Sequence, residues 1–463
     1  MGTDLCYTQA MRDKLYENLY LHIIEEIRKG NLKAGAKLPS VRRCADDNGV
    51  SRNTVLGAYS LLISEGYIYA KEKSGYYVAD FESPLPVKSQ GNSRPEKQRE
   101  SSSVSTTNLS ANLVDSSLFP YSTLKRLYRQ TLSGENISIL ENPGSFLGEW
   151  DLRQSIASYV FNYKSIECDA SQVVVGNGTS YLLQILSSLF EEKPVFLMEK
   201  PGFENTRDMV RDSGCEILDI PVDDEGASIS ATRALRDRIA GRLVILHISP
   251  SHQFPLGATM TAPRRAAFLN WAAGSKDRYI VEDDYDSEFR YNGHPIKSIR
   301  SMDTEGHVIY LGTFSRTLTP SLRISYMILP EPLLRRYESR YRKYPCPVSR
   351  IDQKVISLFM DGGYYERHIN RMRRQYKAKR NRMLEIIQQN APGTLIKGEE
   401  AGLHFIARFP VEEGLLIEKA RKEGFKLQGT GTGWIIIGYA HLSEEEMIGF
   451  GSFLNKTINC SKL

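Results

Sequence analysis

The pattern of apolar and polar positions in residues 1–80 predicts a small helical module. Between positions 14 and 29 apolar side chains recur three or four residues apart, which predicts an amphipathic helix. Ser40 and Ser51 each precede a further apolar stripe and are suited to cap a helix, so we expect helices over 40–46 and 51–65. Two short apolar runs around a charged turn predict a hairpin. This order of elements is that of a winged helix-turn-helix.

The pattern changes after position 108, where short β-branched runs alternate with helical spacing. Strand-like runs lie at 173–175, 195–198, 243–248, 279–281 and 308–311. Such alternation predicts an α/β domain, with a mostly parallel sheet covered by helices on both faces. The runs 402–409 and 433–440, with a helix between them, predict a smaller α+β lobe near the C-terminus.

Composition divides the chain further. Residues 81–107 are rich in Ser, Pro and mixed charge, which is typical of a linker. We therefore predict a module at 1–80, a flexible linker at 81–107 and a large domain at 108–463. No apolar run approaches the ~20 residues that cross a bilayer, and the N-terminus has no apolar signal segment. We expect a cytoplasmic protein without membrane partners.

Charge and cysteine content add little by themselves. The net charge of +5 is compatible with nucleic-acid binding but is spread over several domains. The basic stretches 335–343 and 367–382 carry apolar residues at helical spacing, which favours the solvated faces of packed helices. The six cysteines have no metal-ligand spacing, so we expect reduced thiols and no metal site; they are Cys6, Cys44, Cys168, Cys215, Cys346 and Cys460.

The second helix of the predicted helix-turn-helix begins with Ser51, Arg52, Asn53 and Thr54. Such a helix enters the DNA major groove by its N-terminal residues, and Arg binds the edge of a guanine with two hydrogen bonds. A Ser-Arg pair alone is more simply explained by a helix cap followed by a solvated side chain. The wider set of expected DNA contacts is Arg42, Arg43, Ser51, Arg52, Asn53, Thr54, Lys73 and Gly75.

The surrounding motifs resemble the GntR superfamily of bacterial repressors. They are KLPSVR at 37–42, VSRNTV at 50–55, EGYI at 65–68 and SGYYV at 74–78. The resemblance spans the first 80 residues and implies that Arg42 and the wing at 73–75 contact DNA, with Arg52 and Thr54 on the base side. Because the module is nearly neutral overall, we expect binding as a dimer.

Five fragments of the large domain carry polar chemistry, although each alone has an ordinary structural explanation. GNGTS at 176–180 lies between a strand and a helix, where backbone N–H groups bind anions. EKPGF at 199–203 ends in an aromatic ring, and SPSHQFPLG at 249–257 contains a His that is most simply structural. EDDY at 282–285 places three carboxylates at a strand end. Residues 312–323 supply hydroxyls and an Arg suited to a phosphate.

In order and spacing, these fragments resemble the fold-type I aminotransferases. The whole chain resembles the MocR subfamily of GntR regulators, in which a linker joins a winged helix to an aminotransferase-like domain. The resemblance implies a site for pyridoxal 5'-phosphate (PLP). Asp283 would pair with the pyridine nitrogen, Tyr285 would lie near the ring hydroxyl and Phe203 would stack on the ring. The phosphate contacts would be Gly178, Thr179, Ser180, Thr313 and Arg323, and Ser315 and Arg316 complete the expected cofactor-binding residues.

This sequence also departs from the family pattern at several positions. Arg316 stands where the family has its Schiff-base lysine, and a guanidinium has no free nucleophilic nitrogen. PLP, if it binds, is therefore held without a covalent bond. Phe203 stands where Tyr is frequent, and Asn205 and Ile436 stand where amino-acid-binding members carry arginines. Arg316 has three interpretations: natural degeneration, a site adapted to another anion, or an introduced substitution.

The leading hypothesis is a DNA-binding transcription regulator whose inactive aminotransferase-like domain senses PLP, a PLP adduct or a similar anion. Its expected partners are operator DNA, a small-molecule effector and a second copy of the chain, in a dimer that the linker allows to be head-to-tail and domain-swapped. The main alternative is a working PLP aminotransferase with an accessory domain. A third is a constitutive DNA binder whose large domain only dimerises.

Overall fold

The computed structural model describes residues 4–80, 106–111, 113–133, 141–291 and 297–459, with side chains from position 16 onwards. The chain divides into two compact units, Met1–Ser101 and Ser102–Leu463. Most of the predicted linker, residues 81–105, lies outside the described residues. Thr107, the last residue of that linker, belongs to the second unit, where it pairs with Phe425.

The first unit is the predicted winged helix-turn-helix. Its elements are α1 (Asp4–Arg28), α2 (Val41–Asn48), α3 (Arg52–Ser64), β1 (Ile68–Lys71) and β2 (Gly75–Val78). The two strands pair antiparallel, with Ile68 opposite Val78 and Lys71 opposite Gly75. Only α1 differs clearly from the prediction, since it begins at Asp4 instead of near Lys14.

Both predicted caps of this unit are formed. Ser40 Oγ accepts a hydrogen bond from Arg43 N at 3.3 Å, and Ser51 Oγ accepts one from Thr54 N at 3.1 Å. Each bond satisfies a backbone donor that the helix leaves free. Tyr59 is buried in the core of the unit and donates to the carbonyl oxygen of Pro39 at 3.0 Å. The caps and this contact fix α3 against the start of α2.

The second unit is an α/β domain with a smaller lobe. Its helices are α4 (Tyr121–Thr131), α5 (Trp150–Lys164), α6 (Thr179–Ser188), α7 (Glu204–Asp212), α8 (Ile229–Ala234), α9 (Ala262–Ala273), α10 (Glu331–Tyr341), α11 (Arg350–Asp361), α12 (Tyr364–Asn390), α13 (Glu413–Lys422) and α14 (Glu444–Asn459). Its strands are β3 (Thr107–Asn108), β4 (Val173–Gly176), β5 (Val195–Lys200), β6 (Glu216–Asp223), β7 (Gly226–Ala227), β8 (Val244–Ile248), β9 (Arg278–Asp284), β10 (Val308–Thr313), β11 (Ser325–Ile328), β12 (Leu395–Lys397), β13 (His404–Arg408), β14 (Phe425–Lys426), β15 (Gln428–Gly429) and β16 (Ile435–Gly438).

The large sheet has the strand order β4-β11-β10-β9-β8-β5-β6-β7. The strands β10, β9, β8, β5 and β6 pair in parallel, which confirms the predicted mostly parallel sheet. Carboxyl ends of parallel strands meet at one edge, where ligands of such sheets bind. The strands β6 and β11 were not predicted: β6 alternates buried with exposed residues, and β11 has only four residues.

The predicted smaller lobe is present. A four-stranded antiparallel sheet in the order β12-β13-β16-β15 packs with α13, α14 and the second half of α12. The buried stripe of α12 includes Ile369, Met372 and Tyr376, which confirms that the basic stretch 367–382 is the outer part of a packed helix. None of the helices in the described ranges is both long and apolar enough to cross a membrane.

Candidate cofactor site and DNA-binding surface

The predicted phosphate contacts meet at the N-terminus of α6. Gly178 precedes the helix and has a φ of 90°, a conformation that favours glycine. A Cβ atom at Gly178 would lie 2.4 Å from Arg323 Nη2, so the guanidinium rests against the first turn of α6. Arg323 itself has a left-handed backbone, with a φ of 53°. Thr179 and Ser180 form that first turn. Helix N-terminus and guanidinium together make an anion-binding corner.

Strand register adds hydroxyl groups to this corner. Thr313 pairs across the sheet with Ser325, and Ser325 pairs with Gly176, directly before the glycine turn. Ser325 Oγ donates to Thr313 Oγ1 at 2.8 Å, and Ser315 N donates to the same oxygen at 3.2 Å. The structure therefore places Ser315 and the five residues expected at the phosphate at the same edge of the sheet.

The three carboxylates at the end of β9 are separated by the pleat of the strand. Glu282 accepts from the backbone N–H groups of Ile299 and Arg300 at 3.1 and 2.9 Å, and burial raises its pKa. Asp284 Oδ2 lies 3.1 Å from Lys164 Nζ; although burial opposes ionisation, this cation and nearby hydroxyls hold the pKa of Asp284 below its ordinary value. Asp283 points to the opposite face, because successive side chains of a strand alternate.

Asp283 lies beside His247 but makes no hydrogen bond with it, since His247 Nε2 is buried without a hydrogen-bond partner among the described residues. Asp283 Oδ2 lies 3.3 Å from His247 Nε2 on the neighbouring strand β8. Asp283 Oδ1 is buried and has no hydrogen-bond partner among the described residues. A buried acceptor without a donor is costly, and a pyridine N–H is a donor that would satisfy it. Sequence reasoning missed His247, although a polar residue within an otherwise apolar buried strand was the available signal.

The hydroxyl of Tyr285 belongs to a buried network. His252 Nδ1 lies 3.0 Å from Tyr285 Oη and 3.0 Å from Asp286 Oδ2. When Nδ1 is protonated, it donates to both oxygens. The Tyr285 hydroxyl then accepts from His252, and its own O–H can donate to another group. His252 is thus structural, as the sequence suggested, but it also orients a predicted site residue.

His404 lies next to this network. One ligand atom from each of His252, Asp286 and His404 falls within 4.8 Å of the others, the spacing of a candidate metal centre. Burial holds the pKa of His404 well below its ordinary value, and the nearby charges of His252 and Arg316 lower it further. Asp286 already faces the positive charge of Arg316, so we interpret the cluster as a hydrogen-bond network. The absence of a metal stays a prediction.

Aromatic and aliphatic side chains line the same region. Phe203 stacks on Phe254 at 4.3 Å between ring centres and meets Tyr285 edge to face at 5.1 Å. Stacking of Phe203 on a cofactor would use its other face and stays a prediction. Ile436 is buried in the same cluster, whereas Asn205 is exposed in the first turn of α7. The region therefore holds an apolar residue at one position where an arginine is expected in amino-acid-binding relatives.

Arg316 reaches across the site. Its Nη1 donates to the carbonyl oxygen of Ala111 at 3.2 Å, and its Cζ lies 6.0 Å from the centre of the Tyr285 ring. Burial lowers the pKa of Arg316, an effect that Asp286 and Tyr285 oppose. The following residue, Thr317, is held by α12, since His368 Nε2 donates to its carbonyl oxygen at 2.8 Å.

Glu199 is a further site residue that sequence reasoning did not assign. It lies at the end of β5 and accepts from Ser249 N at 3.2 Å. Burial raises the pKa of Glu199 to about 8, and the charge of Asp283 contributes to this rise. A raised pKa means that the carboxyl group holds its proton more readily, so Glu199 can act as a hydrogen-bond donor near Asp283.

The DNA-binding residues of the first unit divide into exposed and buried groups. Arg52 and Asn53 are exposed in the first turn of α3, together with the cap Ser51, and Arg42 and Arg43 are exposed in the first turn of α2. Thr54 is only 8% exposed, and its hydroxyl lies 2.8 Å from Ser51 Oγ. Its base contact stays a prediction, while its role in the cap is visible.

The predicted wing is a tight turn between β1 and β2. Lys73 is exposed and has a left-handed backbone with a φ of 57°, and Gly75 has a φ of 116°. Ser74 N donates to the carbonyl oxygen of Lys71 at 2.9 Å and closes the turn. The turn thus presents two lysines, Lys71 and Lys73, at the tip of the hairpin.

Comparison with known proteins agrees with both units. Residues 15–78 match the family of bacterial regulatory proteins of the gntR type, and residues 107–448 match aminotransferase class I and II. The structure of a kynurenine aminotransferase from Pyrococcus horikoshii has a TM-score of 0.67 and 24% identity, covering 77% of this chain and 91% of its own. At this identity the likeness shows the fold.

Relatives with both parts exist among curated proteins. An HTH-type transcriptional regulator of Bacillus subtilis, YdeL, is 36% identical over 444 residues, which are 94% of each chain. A probable rhizopine catabolism regulatory protein of Rhizobium meliloti, MocR, is 32% identical over 89% of this chain and 85% of its own. The chain belongs to the MocR-like HTH-type transcriptional regulators, in which a GntR DNA-binding domain precedes a fold-type I aminotransferase domain.

Proposed function

We propose that this regulator binds PLP or a PLP adduct without a covalent bond and uses it as an effector. One observation supports the proposal. An intact cradle for the cofactor lies at the carboxyl edge of the sheet, together with Arg316 in place of a lysine. The cradle has a helix N-terminus with Arg323 against it, an unpartnered Asp283 oxygen and the Tyr285 hydroxyl. PLP supplies an electron-withdrawing ring and a reactive aldehyde when it is bound to a protein.

The residues of the chain have separate tasks in this proposal. Gly178 leaves room for the guanidinium of Arg323, and both contact the phosphate. Asp283 accepts the pyridine N–H, and Tyr285 donates to the ring oxygen because His252 supplies its other hydrogen bond. The cradle therefore recognises both ends of the cofactor, which favours PLP over a simple anion.

Arg316 determines what the site does not do. Its guanidinium stays protonated and supplies neither the nucleophile nor the proton relay that transamination requires. The contact with Ala111 instead ties the loop of Arg316 to the N-terminal segment of the second unit. We propose a sensor without turnover, and the working aminotransferase is the alternative that Arg316 disfavours.

The effector is proposed to act on a dimer. A ligand changes DNA binding only when its affinity differs between two conformations. We propose that PLP shifts a homodimer between states with different spacing of the winged helices on operator DNA. A head-to-tail arrangement remains part of this proposal, to be checked by light scattering and crosslinking between the two units.

The direct test is to purify the chain and measure its absorbance and native mass before and after addition of PLP and pyridoxamine 5'-phosphate. The proposal predicts a rise in the thermal unfolding midpoint with PLP, no turnover with any common amino acid, and a PLP-dependent change in operator affinity. The Arg323→Met variant is the control, because it removes the phosphate contact but leaves the fold.

Two results would contradict the proposal. Measurable transamination would support the enzyme instead. An unchanged midpoint and operator affinity with both cofactors would support a large domain that only dimerises.

A further inference from the structure

A cavity of about 400 Å³ lies in the second unit. Its walls are the end of α5, the segment after β9 and the first half of α12. Asp284 lines this cavity, whereas its neighbour Asp283 points to the other face of the sheet. None of the residues expected to hold the cofactor lines it. Cavities of this size accommodate small metabolites.

Part of the wall is a satisfied polar framework. Lys164 lies 3.1 Å from Asp284 and 2.9 Å from Glu288, and these two carboxylates raise its pKa although burial opposes the charge. Arg265 is buried and donates to the carbonyl oxygens of Met260, Lys297 and Pro250. These charges neutralise each other or bind backbone, so they shape the cavity without offering a free charge to a ligand.

Two other wall residues are not satisfied. Arg290 Nε and Glu366 Oε2 are buried atoms without a hydrogen-bond partner among the described residues. Among the described residues Arg290 makes no ion pair, and its neighbour Arg265 carries the same positive charge. A buried polar group without a partner destabilises the folded chain. One orphaned donor and one orphaned acceptor therefore face a cavity that is large enough for a ligand.

We propose that this cavity is a second small-molecule site, for a small zwitterion of the α-amino-acid type. Arg290 binds the carboxylate of the ligand, and Glu366 accepts from its ammonium group. Apart from the satisfied framework, the charged wall residues are Arg290, Lys297, Arg373 and Glu366, which favours a ligand with an anionic end. The proposal does not depend on PLP being bound.

The test uses the full-length protein and the common α-amino acids, added one at a time at millimolar concentration, with inorganic phosphate as a simple anion. We expect at least one amino acid to raise the unfolding midpoint and to bind in calorimetry. Glu366→Gln and Arg290→Met are each expected to weaken that binding at least about tenfold. Arg323→Met, at the predicted cofactor phosphate, is expected to leave it unchanged.

A structural role for the two residues would give a different result. Glu366→Gln keeps the shape of the side chain and removes an unpartnered charge, so the midpoint of the unliganded protein should stay the same or rise. The proposal is overturned if no amino acid binds, since water would then satisfy both atoms. It is equally overturned if binding survives both substitutions, is lost in Arg323→Met, or is matched by phosphate.

Discussion

A Cβ atom on Gly178 would lie only 2.4 Å from Nη2 of Arg323. The turn before α6 and the guanidinium are therefore packed as one unit, and this packing leads to the first prediction. Gly178→Ala should displace Arg323 and weaken PLP binding at least about tenfold, as measured by calorimetry. The same change adds a strained backbone conformation, since the ψ of Gly178 is 161°, and such strain costs about 1–3 kcal/mol.

Gly214→Ala is the matched control for that strain. Gly214 also has a left-handed backbone, with a φ of 78°, but nothing lies within 4 Å of its Cβ position. Gly214→Ala should also lower the free energy of unfolding, but it should keep its affinity for PLP. Equal affinity losses in the two variants would show that Gly178 acts through strain alone.

Asp283→Asn tests the unpartnered oxygen. A hydrogen bond to a charged group contributes about 1.5–3 kcal/mol, so the loss of the carboxylate should weaken PLP binding roughly 10- to 150-fold. The unfolding midpoint should change little, because Oδ1 has no partner to lose. An unchanged affinity would mean that the pyridine nitrogen does not face Asp283.

Arg52→Ala tests the DNA-binding surface. Arg52 is exposed in the first turn of α3, where a bidentate contact with guanine contributes about 1–3 kcal/mol of discrimination. Affinity for a selected operator should fall by that amount in a fluorescence titration, with little change for random DNA. Lys29→Ala removes an exposed charge that pairs with Glu25 on α1 and is the control. A loss shared by operator and random DNA would indicate a phosphate contact instead.

His368 predicts a pH dependence of stability. Burial lowers the pKa of His368 to about 4, whereas an unfolded His titrates near 6.5. The unfolded state therefore binds the proton first, and stability is lost as the pH falls below about 6.5. Between pH 7 and pH 5 the loss from this residue should be about 2 kcal/mol.

The measurement is urea unfolding at both pH values, compared with His368→Gln. The amide of Gln can still donate to Thr317 O, but it does not titrate. The variant should lose less stability than the natural chain between pH 7 and pH 5. Equal losses would mean that His368 is already protonated in the folded state.

The sequence predicted those features that depend on local spacing or on a motif. Ser40 and Ser51 were identified as caps because a polar residue before an apolar stripe has few other roles. The phosphate cradle was predicted by resemblance, and strand register then placed Thr313 beside Ser325. The winged helix and the mostly parallel sheet are also confirmed, and both were predicted from local hydrophobic spacing.

Contacts between distant segments were beyond the sequence. Nothing local indicates that His247 faces Asp283, that His252 orients Tyr285 or that the pKa of Glu199 is raised, since each depends on burial and on a neighbouring strand. The motif suggested a base contact for Thr54, which stays a prediction, but it did not indicate that the hydroxyl lies 2.8 Å from Ser51 Oγ.

Arg316→Lys should restore the missing amine. With PLP added, the variant should develop the absorption band of a carbon–nitrogen double bond, and hydroxylamine should remove it. The Arg316→Met variant has no amine at this position and should show no band. A folded Arg316→Lys variant without the band would mean that the lysine does not reach the aldehyde.

Intact-mass spectrometry after borohydride reduction tests the central claim most directly, because reduction makes any carbon–nitrogen double bond to the cofactor permanent. The chain with Arg316, saturated with PLP and then reduced, should keep the mass of the protein alone, while Arg316→Lys should gain one cofactor. A stoichiometric covalent adduct on the chain with Arg316 would contradict the account.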